Sequence, residues 1–320
     1  MKDNGFTKKI AIVGTGFVGM SFAYALLCDG ACDEMVLIDV NKEKALGEAM
    51  DLNHGLAFAK NNMKITAGEY SDCADADIVV ICAGVSQKPG EDRISLLQRN
   101  RAVFESIVAP VLESGFDGIF LVATNPVDIM TRVVHHISGF PSRKVIGSGT
   151  TLDTARLRYL LGEYFSVDPK NVHAYVMGEH GDSEMTPWSQ ALVGTMPIRE
   201  ILAGQPEKYS ESALTEISEN VTKAAYKIIQ AKRATYYGIG LALVRIVKAI
   251  LGGENSILTV STKLHGEYGI QDVFAGVPCV LGRDGVSGIM TLQLEDEELA
   301  KFQASCNLLD KVWKDSFAEK

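Results

Sequence analysis

The chain has 320 residues, more than one core usually serves, so two lobes are expected. Apolar residues make up 47% and charged residues 22%, an ordinary balance for a soluble globular protein. A net charge of -9 and a pI of about 5.3 argue against broad nucleic-acid or anionic-membrane binding. No apolar run reaches the roughly 18 residues of a membrane span. The start, Met1 to Gly5, leads straight into a strand without an apolar leader-like region. Six scattered cysteines without a Cys-x-x-Cys pair read as reduced packing residues, which suits a cytoplasmic protein. His135-His136 are adjacent and His54 and His265 isolated, so no metal site is expected.

Taken in order, Lys9 to Val13 is a short apolar run that suits a buried parallel strand. Gly14-Thr15-Gly16-Phe17-Val18-Gly19 follows, and a helix is expected over Met20 to Cys28. Between strand and helix, G-x-G-x-x-G reads as a dinucleotide turn. Its glycines allow a tight turn, backbone approach to a pyrophosphate and close helix packing. The helix start supplies N–H groups and a favourable dipole. The next strand, Met35 to Ile38, ends in Asp39, 20 residues past Gly19, where a carboxylate can accept from both ribose hydroxyls. A 2′-phosphate there would meet like charge, which favours NAD over NADP.

Further strands are expected from Ile65, over Asp77 to Gly84, over Gly118 to Ala123 and over Lys144 to Ser148. The run Val85 to Arg93, rich in charge with Pro89 and Gly90, is a polar loop at the carboxyl end of a strand. That is a usual ligand position and a plausible lid. Six strands with helices between them make a doubly wound parallel Rossmann sheet over residues 1–147. A mixed α+β lobe is expected over 148–320. It contains a helix from Thr151 to Tyr164, a strand over 172–177 and a helix from Ser212 to Lys232. A helix to Leu251 capped by Gly252-Gly253 and a meander over Ser256 to Leu294 with a turn at Arg283-Asp284-Gly285 follow, then a terminal amphipathic helix. Asp153 and Arg156, three apart, share a face of the first of these helices.

After the 172–177 run comes Gly178-Glu179-His180-Gly181-Asp182-Ser183. Core packing gives no reason for a histidine between glycines and acids, and its ordinary pKa near 6.5 suits proton transfer.

These segments resemble the L-lactate dehydrogenases of the lactate/malate dehydrogenase superfamily. The resemblance rests on Gly14–Gly19, Asp39, Gln87–Arg93, Thr124–Asp128, Leu152–Arg156, Gly178–Ser183 and Ala234–Gly238, and so covers nearly the whole chain. Arg233 departs from the pattern, which has a glycine just before Ala234-Thr235.

The resemblance implies roles. His180 would exchange the proton with pyruvate or lactate, Asp153 would hold its imidazole, Arg156 would anchor the substrate carboxylate and Arg93 would polarise the ketone. Asn125 would orient substrate and nicotinamide, and Thr235 would line the pocket. Gly14, Gly16, Val18, Gly19, Asp39, Tyr70, Ala83, Gly84, Val122, Asn125 and Ser148 would hold NAD. Gln87 would select substrate, because malate dehydrogenases usually carry arginine there to meet a second carboxylate. Arg158, two residues past Arg156 and therefore on nearly the opposite side of the helix, and His173 match residues that bind fructose 1,6-bisphosphate in allosteric bacterial relatives. A homotetramer acting at the end of fermentative glycolysis is implied as well. The alternatives are a malate or other 2-hydroxy-acid dehydrogenase, and a non-catalytic NAD-binding redox sensor that kept the fold.

Overall fold

The computed structural model describes residues 7–85 and 93–317. Strands β1 (Lys9–Val13), β2 (Glu34–Ile38), β3 (Lys64–Ala67), β4 (Ile78–Ile81), β5 (Ile119–Val122) and β6 (Val145–Gly147) lie parallel in the order β3-β2-β1-β4-β5-β6. Helices α1 (Phe17–Asp29), α2 (Lys42–His54), α3 (Arg93–Glu113) and α4 (Val127–Ser138) connect them. Every residue of β1, β4 and β5 is buried, because helices cover both faces of a parallel sheet. The order reverses between β1 and β4, and the carboxyl ends of those strands open a crevice suited to ligand.

The remaining residues form α5 (Thr151–Phe165), β7 (Val172–His173), β8 (Leu192–Val193), β9 (Met196–Pro197), α6 (Ile198–Gly204), α7 (Glu211–Lys232), α8 (Tyr237–Gly252), β10 (Ser256–His265), β11 (Gln271–Gly282), β12 (Gly285–Ile289) and α9 (Asp296–Phe317). The expected meander is β10–β12, with the predicted turn between β11 and β12. It does not form a sheet of its own. Ser261 of β10 pairs antiparallel with Gly147 of β6, so the Rossmann sheet continues into one sheet of nine strands. One large apolar core follows this sheet, and a smaller one joins α5, α6, α7 and β7 through Leu157, Leu161, Ile198 and Leu214.

The run over 172–177 is a strand only at Val172–His173. Beyond that, α5 takes the place of a strand neighbour. The Val176 N–H donates to Thr154 Oγ1 at 2.9 Å, and the Val176 carbonyl accepts from Thr150 Oγ1 at 2.6 Å. The run is apolar because Ala174, Val176 and Met177 are buried, and of these only Met177 pairs with another segment, exchanging backbone hydrogen bonds with Met185.

Candidate active site

The nucleotide crevice begins at Gly14, whose φ of +101° is costly for any residue with a Cβ. A Cβ there would also lie 2.6 Å from the Ala83 amide nitrogen. One at Gly19 would lie 2.0 Å from the Gly14 carbonyl oxygen, so α1 can press directly on the turn. The start of α1 follows this turn, and a helix start supplies N–H groups and a dipole end that suit a phosphate.

Asp39, just past β2, accepts from the Thr15 N–H at 2.8 Å, the Thr15 hydroxyl at 2.9 Å and the Asn41 N–H at 2.9 Å. Burial works against its charge, but the hydrogen bonds from Asn41 and Thr15 outweigh it and hold the carboxyl below its usual range. Gly14, Gly16, Asp39, Tyr70, Ala83 and Gly84 line one cavity of about 320 Å³. A glycine turn, a helix start and a fixed carboxylate are the donors and acceptors that a dinucleotide requires, so these residues fit NAD. Val18 and Gly19 lie on α1, Val122 ends β5, and Ser148 follows β6 with its N–H on the Val122 carbonyl at 2.8 Å.

At the other side α5 carries Asp153 and Arg156, and the turn after Met177 carries His180. The Asp153 carboxylate brings the two bases together. Its Oδ2 accepts from His180 Nδ1 at 2.6 Å and its Oδ1 from Arg156 Nη1 at 2.7 Å. The Asp153 side chain is 2% exposed and that of Arg156 14%, so this is no solvated surface pair. Burial opposes the His180 imidazolium, but the charge and hydrogen bond of Asp153 outweigh it and push His180 up to about 9. Burial equally opposes the Asp153 carboxylate, and His180 and Arg156 outweigh that and hold it down. With Nδ1 committed to Asp153, Nε2 is the ring nitrogen left to exchange a proton.

Two carboxyls that the sequence reading did not single out support this arrangement. Asp128, in the first turn of α4, is buried and accepts from the His180 backbone N–H at 2.8 Å and from Ser261 Oγ at 2.6 Å. It therefore ties α4, the histidine turn and β10 at one point, although burial pushes its carboxyl up to about 6. Glu184 accepts from Thr222 of α7 at 3.0 Å, and burial followed by the nearby Asp153 charge pushes it up to about 8. Burial thus favours the protonated form of Glu184. On α9, Ser305 accepts from the Glu179 N–H at 2.8 Å and anchors the same turn. Asp128 and Glu184 both lie in or beside motifs already quoted. Their partners are far off in sequence, 133 residues for Ser261, which no local spacing reveals.

Ligand atoms of Asp153, His180 and Glu184 lie within 4.8 Å of one another, spacing that a cation can use. Both Asp153 oxygens already accept hydrogen bonds from bases and Glu184 favours its proton, so the chemistry is that of a proton site.

Asn125 follows β5 at the crevice, and Thr235 lies half-buried between α7 and α8. Arg233 caps α7 with φ +72°, a left-handed conformation in which glycine is the natural residue. Gln87 lies outside the described residues, as does the side chain of Arg93, the first residue of α3. Arg158 donates through Nε to the Val172 carbonyl, one residue before the exposed His173. It lines a cavity of about 420 Å³ that Lys170, Tyr175 and Arg245 share.

Comparison with known proteins gives concordant matches. The family model described as lactate/malate dehydrogenase, NAD binding domain, matches residues 8–147. That described as lactate/malate dehydrogenase, alpha/beta C-terminal domain, matches residues 150–320. An L-lactate dehydrogenase of Bacillus velezensis is 54% identical over 316 residues, 99% of each chain. A crystal structure of a lactate dehydrogenase from a Medee basin deep-sea metagenome library superposes with TM-score 0.95 at 50% identity, covering 97% of this chain and 99% of that one. The minor L-lactate dehydrogenase of Enterococcus mundtii, in its ligand-bound form, superposes with TM-score 0.95 at 47% identity, covering 98% and 99%. The chain belongs to the lactate/malate dehydrogenase family.

Proposed function

We infer that the protein is an NAD-dependent oxidoreductase that interconverts pyruvate and L-lactate. The observation that carries this reading is the buried Asp153 carboxylate, which holds a proton-bearing histidine and an arginine together. When bound, NAD supplies the hydride chemistry. Arg156, whose planar fork suits a carboxylate, anchors the substrate carboxylate and thereby orients the ketone. Arg93 adds a positive charge at the ketone oxygen as that oxygen becomes negative. His180 Nε2 gives that oxygen its proton in reduction and takes it back in lactate oxidation, while Asp153 stabilises the imidazolium. Asn125 orients the substrate and Thr235 bounds its pocket. Gln87, being neutral, leaves a second substrate carboxylate unpaired, which disfavours oxaloacetate. The cofactor would lie along Gly14, Gly16, Val18, Gly19, Asp39, Tyr70, Ala83, Gly84, Val122 and Ser148.

The same reading divides the chain at 147/148 into a nucleotide lobe and a substrate lobe. It places the enzyme in the cytoplasm at the end of fermentative glycolysis, as a homotetramer. Fructose 1,6-bisphosphate would bind Arg158 and His173 at an interface between subunits. Two copies of each base meeting there would repel, and a polyanion would relieve that.

The test is His180→Asn. Pyruvate reduction should fall by about 10²–10⁴-fold or more, the usual worth of acid–base help. NADH binding, followed by fluorescence, should persist. Turnover near that of the unmodified protein would remove His180 from the reaction.

A further inference from the structure

A second built cavity lies away from the nucleotide crevice and shares no residue with the site above. It occupies about 560 Å³ between α3, α4, α9 and the β10–β11 hairpin. Among the described residues, Arg101, Arg132, His135, His136 and Lys263 supply five basic side chains to its lining, against the single carboxylate of Asp272. That is unexpected in a chain of net charge -9.

Three of the bases have acidic partners: Arg101 with Glu105 at 2.8 Å, Arg132 with Asp310 at 3.2 Å and Lys263 with Asp272 at 2.8 Å. Two of those acids face water, where their charge is screened. The Glu105 side chain is 49% exposed and that of Asp272 56%, against 23% for Lys263. Asp310 also receives the exposed Lys314, whose charge is screened in the same way. The field that remains is positive at His135. Burial first, then the charges of Lys263, His136, His265 and Arg132, hold that imidazole below its ordinary value.

Flat rings complete the cavity. The Arg132 guanidinium lies 4.4 Å from the centre of the Trp313 ring, and that of Arg101 5.5 Å from that of Phe317. His135 meets Phe274 at 5.3 Å between ring centres. Stacked cation–aromatic faces suit a planar ring, and the bases beside them suit the charge it carries. The volume is ample for one small ligand.

The geometry points to a binding site for a flat-ring phosphate monoester, of the size of a nucleoside monophosphate, at this cavity. The ring stacks against the Arg132–Trp313 wall, and Lys263 with the histidines receives the phosphate.

Trp313 is one of only two tryptophans in the chain and so reports directly on the cavity. AMP is titrated into a Trp188→Phe variant held in saturating NAD⁺, which closes the nucleotide crevice to AMP, and Trp313 fluorescence is followed. Calorimetry on the unmodified protein under the same conditions covers the case in which that variant folds poorly. AMP should bind saturably, and adenosine and inorganic phosphate should each bind about tenfold more weakly, as expected when a charge-assisted contact or a stacking partner is missing. Lys263→Gln should weaken AMP by about tenfold and leave pyruvate turnover unchanged. Absence of saturation by about 10 mM AMP, adenosine or phosphate matching AMP, or an unaltered affinity in Lys263→Gln would each overturn the proposal.

Discussion

Asp153 sets the charge state of the site. Buried between two bases, it makes the imidazolium of His180 the stable form at neutral pH, with the histidine pushed up to about 9 although burial opposes it. Pyruvate reduction needs the protonated ring, so its kcat/KM should be level through neutral pH and fall as pH rises through about 9. Lactate oxidation should rise over the same range. In Asp153→Asn the burial cost is no longer opposed by that charge, so the fall in reduction moves to lower pH and activity at pH 7 drops by about 10²-fold or more. A pH profile of both directions checks this, and an unmoved profile in the variant would assign the ionisation to another group. The stability sign follows from the raised pKa. The pair's contribution is complete below about 6.5, where an unfolded histidine is also protonated, and is lost as pH rises through about 9.

Among the elements, those with local signals were legible in sequence. The β1–glycine turn–α1 unit and the meander announce themselves through short apolar runs and turn residues. The 172–177 run shows the limit, because apolar sequence reports burial and at Val176 the side chains of Thr150 and Thr154, not a neighbouring strand, satisfy the backbone. Asp128 and Glu184 were illegible for a related reason: each acts through a partner brought near only by tertiary folding. Arg233 was visible as a departure, and its conformation supplies the reason. As the left-handed cap of α7 it occupies a position where a Cβ is strained. Arg233→Gly should therefore stabilise the fold by about 1 kcal/mol. The readout is a higher urea midpoint with unchanged slope, and a midpoint that stays or falls would show that the exposed arginine makes good the strain elsewhere.

At the scale of the molecule, the continuation of the Rossmann sheet through β6 into β10 makes one continuous frame of the nucleotide crevice and the histidine turn, with Asp128 and Ser261 across the join. A regulator at Arg158 would act on the same frame, since that side chain holds the Val172 carbonyl on the segment that leads to His180. Fructose 1,6-bisphosphate should lower the pyruvate concentration for half-saturation near pH 7 by about 5-fold or more, the usual scale of such coupling, and Arg158→Leu should abolish the effect. An unchanged half-saturation point in the parent protein would remove this regulation, and activation that survives in Arg158→Leu would move the site. A frame of this kind should reduce a 2-keto acid bearing one carboxylate. NADH absorbance is followed with purified protein, first with pyruvate and then with oxaloacetate. Pyruvate should be preferred in kcat/KM by about 10²-fold or more, as an unpaired second carboxylate would require. Equal efficiency on the two acids, or NADH that binds and is never oxidised by pyruvate, would contradict it.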